Sequence, residues 1–148
     1  MTQYRPWTQT DAAYLAGIID GEGCFCLHNF GTHRFGCALA VGNTDLRMLE
    51  WIRVRFGGTV KIEKRSNIKH KPFWRWKASA DDLESIISAV LPYLVTKKDR
   101  AELILAYRAT LPPRIRTKRS TSNTPEHVKR ERILIHSALS DLNKRGAA

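Results

Sequence analysis

From residue 8 the apolar side chains recur every three to four positions. Tyr14, Leu15, Ile18 and Ile19 follow the capping-box pattern Thr8-Gln9-Thr10-Asp11, which predicts a helix running to about Asp20. The period then changes to two. CFCLHNF and RFGCALAV, joined by Gly31-Thr32-His33, predict a β-hairpin with Phe25, Leu27, Phe35, Cys37, Leu39 and Val41 turned to a core. Its opposite face carries Cys24, Cys26, His28, Phe30, Arg34, Gly36, Ala38 and Ala40. Asn43-Thr44-Asp45 caps a second helix with Leu46, Leu49, Ile52 and Phe56 inward, stopped by Gly57-Gly58.

TVKIEKR and FWRWKA predict a second hairpin around a basic loop. Burying an unpaired cation costs more than burying an indole, so Trp74 and Trp76 are placed inward and Arg75 and Lys77 outward. Ser79-Ala80-Asp81-Asp82 opens a third helix with Leu83, Ile86, Ile87, Val90 and Leu91 inward, broken at Pro92. Thr96-Lys97-Lys98-Asp99 opens a fourth, carrying Ala101, Leu103, Ile104 and Leu105 and ending before Pro112-Pro113. The pattern is that of an α+β domain over residues 1–111, in the order αββαββα once the two helices after the second hairpin are taken together. Residues 112–123, PPRIRTKRSTSN, have the composition of a basic linker. Thr124 and Pro125 then start an amphipathic helix over 124–146 with a stripe of Val128, Ile135, Leu139 and Leu142. That stripe either covers its own domain, the ordinary expectation for an amphipathic helix, or joins a second subunit.

A chain of 148 residues fits one domain with a sizeable core. No window approaches the roughly 18 uninterrupted apolar residues of a membrane span, and MTQYRPWTQTDAAY lacks the layout of a secretory signal. The expectation is a soluble, intracellular protein without a membrane partner. Three cysteines do not make a disulfide framework. Cys24, Cys26 and His28 project in a row along a strand rather than converging as zinc ligands do.

Charge adds a partner. The net charge of +11 is concentrated in two stretches: residues 61–77, with seven basic side chains against one acidic, and 114–132, with seven against two. Clustered Lys and Arg among aromatics is the footprint of a phosphate-backbone ligand, hence of a nucleic acid rather than a small-molecule substrate. Lys61, Glu63, Arg65, Arg75 and Lys77 lie on the outward face of the second hairpin, where each can meet a base or equally a phosphate. Lys64, Lys69, His70 and Lys71, and further on Arg114, Arg116, Lys118 and Arg119, are placed to meet phosphates.

The first helix poses a chemical question. It ends in Asp20 and Glu22, spaced by single glycines, at the pole where the backbone dipole is already negative. Lys97 and Lys98 reverse the same rule by opening a helix. The acids call for a positive charge, and the reading here is that it lies outside the chain. On the same helix Ala13, Gly17 and Gly21, with Ala16 beside them, form a small-residue face that a second helix backbone can approach closely, and an interior Gly17 otherwise costs about 1 kcal/mol.

Leu15-Ala-Gly-Ile-Ile-Asp-Gly-Glu-Gly23 resembles the nine-residue signature of the LAGLIDADG homing endonucleases, and the order of elements over about residues 8–110 fits that family. The resemblance implies an antiparallel sheet saddled on double-stranded DNA, with the outward faces of both hairpins reading the major groove. Members with one signature, as here, work as homodimers whose signature helices pack together, which assigns Ala13, Ala16, Gly17, Asp20 and Gly21 to an interface. It further implies that the carboxylate at the eighth signature position, Glu22 in place of the usual Asp, and the carbonyl of Gly21 hold Mg²⁺, or Mn²⁺ in its place. Asp20 is given a capping or supporting role. Asn43, Arg47 and Lys97 match the catalytic periphery, with Asn43 a shorter substitute for the usual Gln. The activity implied is metal-assisted phosphodiester hydrolysis of both strands, leaving four-nucleotide 3′ overhangs. Because family members also act as RNA maturases, a non-cleaving nucleic-acid binder is the competing reading; a transcriptional regulator finds no support, since no separate helix-turn-helix is present.

Overall fold

The computed structural model describes residues 7–31, 33–64, 71–112 and 124–146. Helix α1 (Gln9–Glu22) opens on Thr8, whose Oγ1 accepts from the Asp11 N–H at 3.1 Å while the Asp11 carboxylate accepts from the Thr8 N–H at 3.0 Å. The reciprocal pair fixes the helix start. At its other end α1 runs two residues beyond Asp20, so both acids sit in the final turn. Gly23 then carries the chain straight into the first strand. A Cβ there would lie 2.7 Å from the Ile19 Cα, so a larger residue cannot make this tight exit.

Strands β1 (Gly23–Asn29) and β2 (Phe35–Asn43) pair antiparallel with Gly23 opposite Val41, and β3 (Thr59–Glu63) pairs antiparallel with β4 (Phe73–Lys77). β2 and β4 join the hairpins, giving the sheet order β1-β2-β4-β3. Phe25, Leu39, Val41 and Trp76 are fully buried on one face. They lie beneath α1, α2 (Leu46–Phe56) and α4 (Lys98–Ala109), with α3 (Leu83–Val90) packed on α1 and followed by a 3-10 turn over Leu91–Tyr93. The strand phase is as expected: Trp76 is buried and donates its indole N–H to the Gly57 carbonyl at 2.8 Å, while Arg75 and Lys77 are exposed.

Two inward groups lie outside the apolar pattern. Tyr107 of α4 is buried, and its hydroxyl donates to the Phe35 carbonyl (2.9 Å) and accepts from the Phe35 N–H (3.1 Å). Arg132 belongs to the last helix, α5 (Glu126–Gly146); it is 5% exposed and donates to Oγ1 and the carbonyl of Thr110, both at 2.9 Å. Ile135 and Leu139 of α5 enter the same core as the sheet, so the stripe covers its own domain. Residues 113–123 of the linker lie outside the described residues. No helix among the described residues is long and apolar enough to cross a membrane.

Candidate functional site

The end of α1 and the start of α4 meet, and their reversed charges resolve one another. The Asp20 carboxylate accepts from the backbone N–H groups of Val95 (2.9 Å), Thr96 (3.1 Å) and Lys97 (3.1 Å) and from the Thr96 hydroxyl (3.0 Å). It therefore sits at the positive pole of α4. In return Lys97 Nζ donates to the carbonyls of Ile19 (3.0 Å) and Gly23 (2.6 Å), at the negative pole of α1. The expectation that the compensating charge lies wholly outside the chain is corrected by this exchange: Lys97 supplies one cation across 74 to 78 residues of sequence. Partial desolvation works against ionised Asp20, but the donors from Val95, Lys97 and Thr96 outweigh it and hold the carboxyl below its usual value. Partial burial, followed by the positive charge of Arg100, lowers Lys97.

Glu22 is left over. Its side chain is exposed and makes no hydrogen bond or ion pair among the described residues, and Gly21 beside it is exposed as well. Gly21 also belongs to the last four residues of the helix, whose carbonyls have no intrahelical donor. A carboxylate and a helix-end carbonyl are hard oxygen donors of the kind Mg²⁺ accepts. One chain provides too few of them for a closed site: among the described residues no three His, Cys, Asp or Glu side chains gather to hold a metal. Glu22 and the Gly21 carbonyl would by themselves supply only part of the oxygen shell of such an ion.

The small-residue face is open. Gly17 and Gly21 are exposed with nothing within 4 Å of where a Cβ would stand, and Ala13 is half-buried. Ala16 is corrected: it is fully buried in the chain's own core and cannot belong to an interface. Asp20 is half-buried and committed to the loop before α4.

The sheet's outer face collects both hairpins, since Cys24 pairs with Ala40, Ala40 with Lys77, and Lys61 with Arg75. His28, Phe30, Arg34, Lys61, Glu63, Lys64, Lys71, Arg75 and Lys77 are exposed, and Cys24 and Cys26 are half-buried. Three sequence assignments need correcting here. Ala38, opposite Cys26, and Ala40, between Cys24 and Lys77, are 6% and 9% exposed, and the Phe30 ring lies over Gly36, so these small residues offer a ligand little surface. Arg75 is paired to Glu63 at 3.2 Å, which orders two groups able to hydrogen-bond bases. The Cys24 and Cys26 sulfurs touch at 3.0 Å; that contact draws the Cys24 thiol down to about 6, aided by Lys97, Arg75 and Arg100, and pushes Cys26 up. Arg47, with its side chain 91% exposed, is held by a fork of two bonds to Asp45, while the Asn43 carboxamide oxygen accepts from the Asp45 N–H at 2.8 Å and shapes the turn before α2. Arg65, Lys69, His70, Arg114, Arg116, Lys118 and Arg119 lie outside the described residues.

Comparison with known proteins agrees with this geometry. The fold superposes on I-CvuI, a homing endonuclease solved in complex with DNA, with a TM-score of 0.69 and 23% identity over 90% of this chain and 82% of that one. The archaeal intron-encoded homing endonuclease I-Vdi141I, also bound to DNA, gives a TM-score of 0.69 at 14% identity, covering 90% and 84%. LAGLIDADG homing endonuclease I-GzeII, bound to its DNA target, gives 0.65 at 22% identity, with this chain covering 44% of its length. The chain has the LAGLIDADG homing endonuclease fold. In sequence it is 41% identical over 56 residues to the intron-encoded RNA maturase bI4 of Saccharomyces cerevisiae, a match spanning 38% of this chain and 8% of the maturase. No family model matches the chain.

Proposed function

We propose that two copies of this chain form a site-specific endonuclease that hydrolyses both strands of duplex DNA and leaves four-nucleotide 3′ overhangs. One observation carries the reading: the end of α1 presents an exposed Glu22 carboxylate, without a hydrogen bond or ion pair among the described residues, beside Gly21 on the open Gly17 and Gly21 face, with Lys97 docked on the same helix end. Packing two α1 helices along that face brings both carboxylates to one place over the DNA. A divalent ion, Mg²⁺ or Mn²⁺, held there by Glu22 and the Gly21 carbonyl supplies charge stabilisation for the phosphoryl group in its transition state.

The chain's own groups do the rest. Asp20 fixes the loop that carries Lys97, so the ammonium is held at a set place beside the helix end rather than swinging on its stem. Arg47, exposed yet oriented by Asp45, is available to a phosphate oxygen. Asn43 acts on the orientation of that turn through its bond to the Asp45 N–H. A water attacks phosphorus in line, the bond to the 3′ oxygen breaks, and a 3′ hydroxyl and 5′ phosphate result. Exposed Lys61, Lys77, His28 and Arg34, with Arg75 and Glu63 as an ordered pair, face the major groove. Their exposure gives them access to base edges, which the buried alanines lack.

The maturase match favours a second reading, a non-cleaving RNA binder. Incubation with a randomised, palindrome-like duplex library in Mg²⁺, and again in Ca²⁺, separates the two. The endonuclease yields cut ends from selected sequences in Mg²⁺; an RNA binder cuts no duplex in either ion.

A further inference from the structure

A second network reaches the candidate site from the far end of the chain. Arg100 of α4 is largely buried, with 13% of its side chain exposed. Its guanidinium donates through Nη1 to the Thr96 carbonyl (3.2 Å), through Nε to Asn143 Oδ1 (3.1 Å) and through Nη2 to the Leu142 carbonyl (2.8 Å). Asn143 in turn donates its Nδ2 to the Phe25 carbonyl of β1 at 3.0 Å. Thr96 is the residue whose N–H and hydroxyl hold Asp20, and its neighbour Lys97 is docked on α1. A continuous path of hydrogen bonds therefore runs from the last turn of α5 through Arg100 to the loop that places Lys97. Arg100, Asn143 and Lys97, with Cys24 and Cys26, also wall a common cavity of about 390 Å³.

We infer that Arg100 is a positioning residue, and that through it the last turn of α5 sets the position of Lys97 for strand cleavage; this rests on the endonuclease reading above. The rigid fork of arginine suits the task, because three acceptors on two segments, the loop before α4 and the last turn of α5, are satisfied by one planar group. Lysine, a single point donor on a flexible stem, cannot hold all three. Loss of the fork leaves Thr96 without this donor and frees the loop, and a displacement on the order of 1 Å at a catalytic group is enough to cost up to about 100-fold in rate.

The same helix supplies the control. Arg132 anchors α5 at its other end, on Thr110, and touches none of the Lys97 loop. Full-length Arg100→Met and Arg132→Met are compared by DNA affinity in Ca²⁺, single-turnover cleavage in Mg²⁺ and amide hydrogen exchange at residues 95–97. Arg100→Met keeps affinity within about two-fold, loses 10- to 100-fold in cleavage rate, and exposes the 96 and 97 amides to exchange, with partial rescue by Arg100→Lys. Arg132→Met loses stability but keeps the rate and the protected amides. An Arg100→Met rate equal to wild type, or a rate loss shared by Arg132→Met, overturns the inference. Should wild type cut no DNA, the endonuclease reading fails instead, and unchanged exchange at 96 and 97 still refutes the positional link. If Arg100→Met does not fold, Arg100→Lys carries the same measurements.

Discussion

Replacing Asp20 by Asn tests whether the exchange of charges between α1 and α4 holds the site together. The carboxylate accepts four bonds: one oxygen takes Thr96 N–H, Thr96 hydroxyl and Lys97 N–H, and the other takes Val95 N–H. Asn keeps one acceptor oxygen and turns an N–H₂ toward Val95. One charge-assisted bond, about 1.5–3 kcal/mol, is lost, and the rest weaken to neutral strength. Val95 is 82% exposed, so water re-satisfies its N–H and the net cost falls to about 2 kcal/mol. For a chain of this size that is roughly 5–8 °C in Tm. The pH dependence follows from the sign of the shift. Asp20 has a depressed folded value, so its contribution is complete above the unfolded carboxyl value of about 4 and disappears as pH falls through the lower folded value. Thermal unfolding followed by circular dichroism at pH 7 and near pH 2 measures both. The variant is the less stable at pH 7, and the gap closes in acid. Equal stability at pH 7, or a gap that persists undiminished near pH 2, refutes the reasoning.

Gly17→Leu leaves the isolated fold intact, because nothing stands within 4 Å of where its Cβ would lie, but abolishes the proposed self-association in sedimentation experiments. A dimer of wild-type strength in this variant places the interface elsewhere. Tyr107→Phe removes the hydroxyl that satisfies both Phe35 backbone groups and costs about 1–3 kcal/mol in urea unfolding. A loss below about 0.5 kcal/mol shows that those groups find other partners.

What could be read from the sequence was local. The capping box at Thr8, the period-two faces of both hairpins and the inward Trp76 all follow from neighbouring residues and appear as expected. Errors arose where a distant segment decides. The end of α1 was placed early because Asp20 and the glycines look like terminators, whereas Lys97 caps carbonyls there and the helix continues to Glu22. Ala16 is small like its neighbour Gly17 but lies about 100° round the helix from it, on the buried side. Ala38 and Ala40 lie on the expected face, yet β2 is an interior strand, and sheet order is not written in alternation. Tyr107 stands apart from the apolar run of Leu103, Ile104 and Leu105, and its position three residues after Ile104 is its one sequence signal of burial. Arg100 and Asn143 carry no local signal, since Arg100 is fixed by α5 acceptors 42 and 43 residues on and Asn143 by Arg100 and the distant Phe25 carbonyl.

The central claim is that Glu22 serves phosphodiester cleavage and not folding or DNA affinity. Single-turnover cleavage of a selected duplex by Glu22→Gln, beside its affinity in Ca²⁺, tests it most directly. The account predicts affinity unchanged and both strands left intact in Mg²⁺; cutting at the wild-type rate contradicts it.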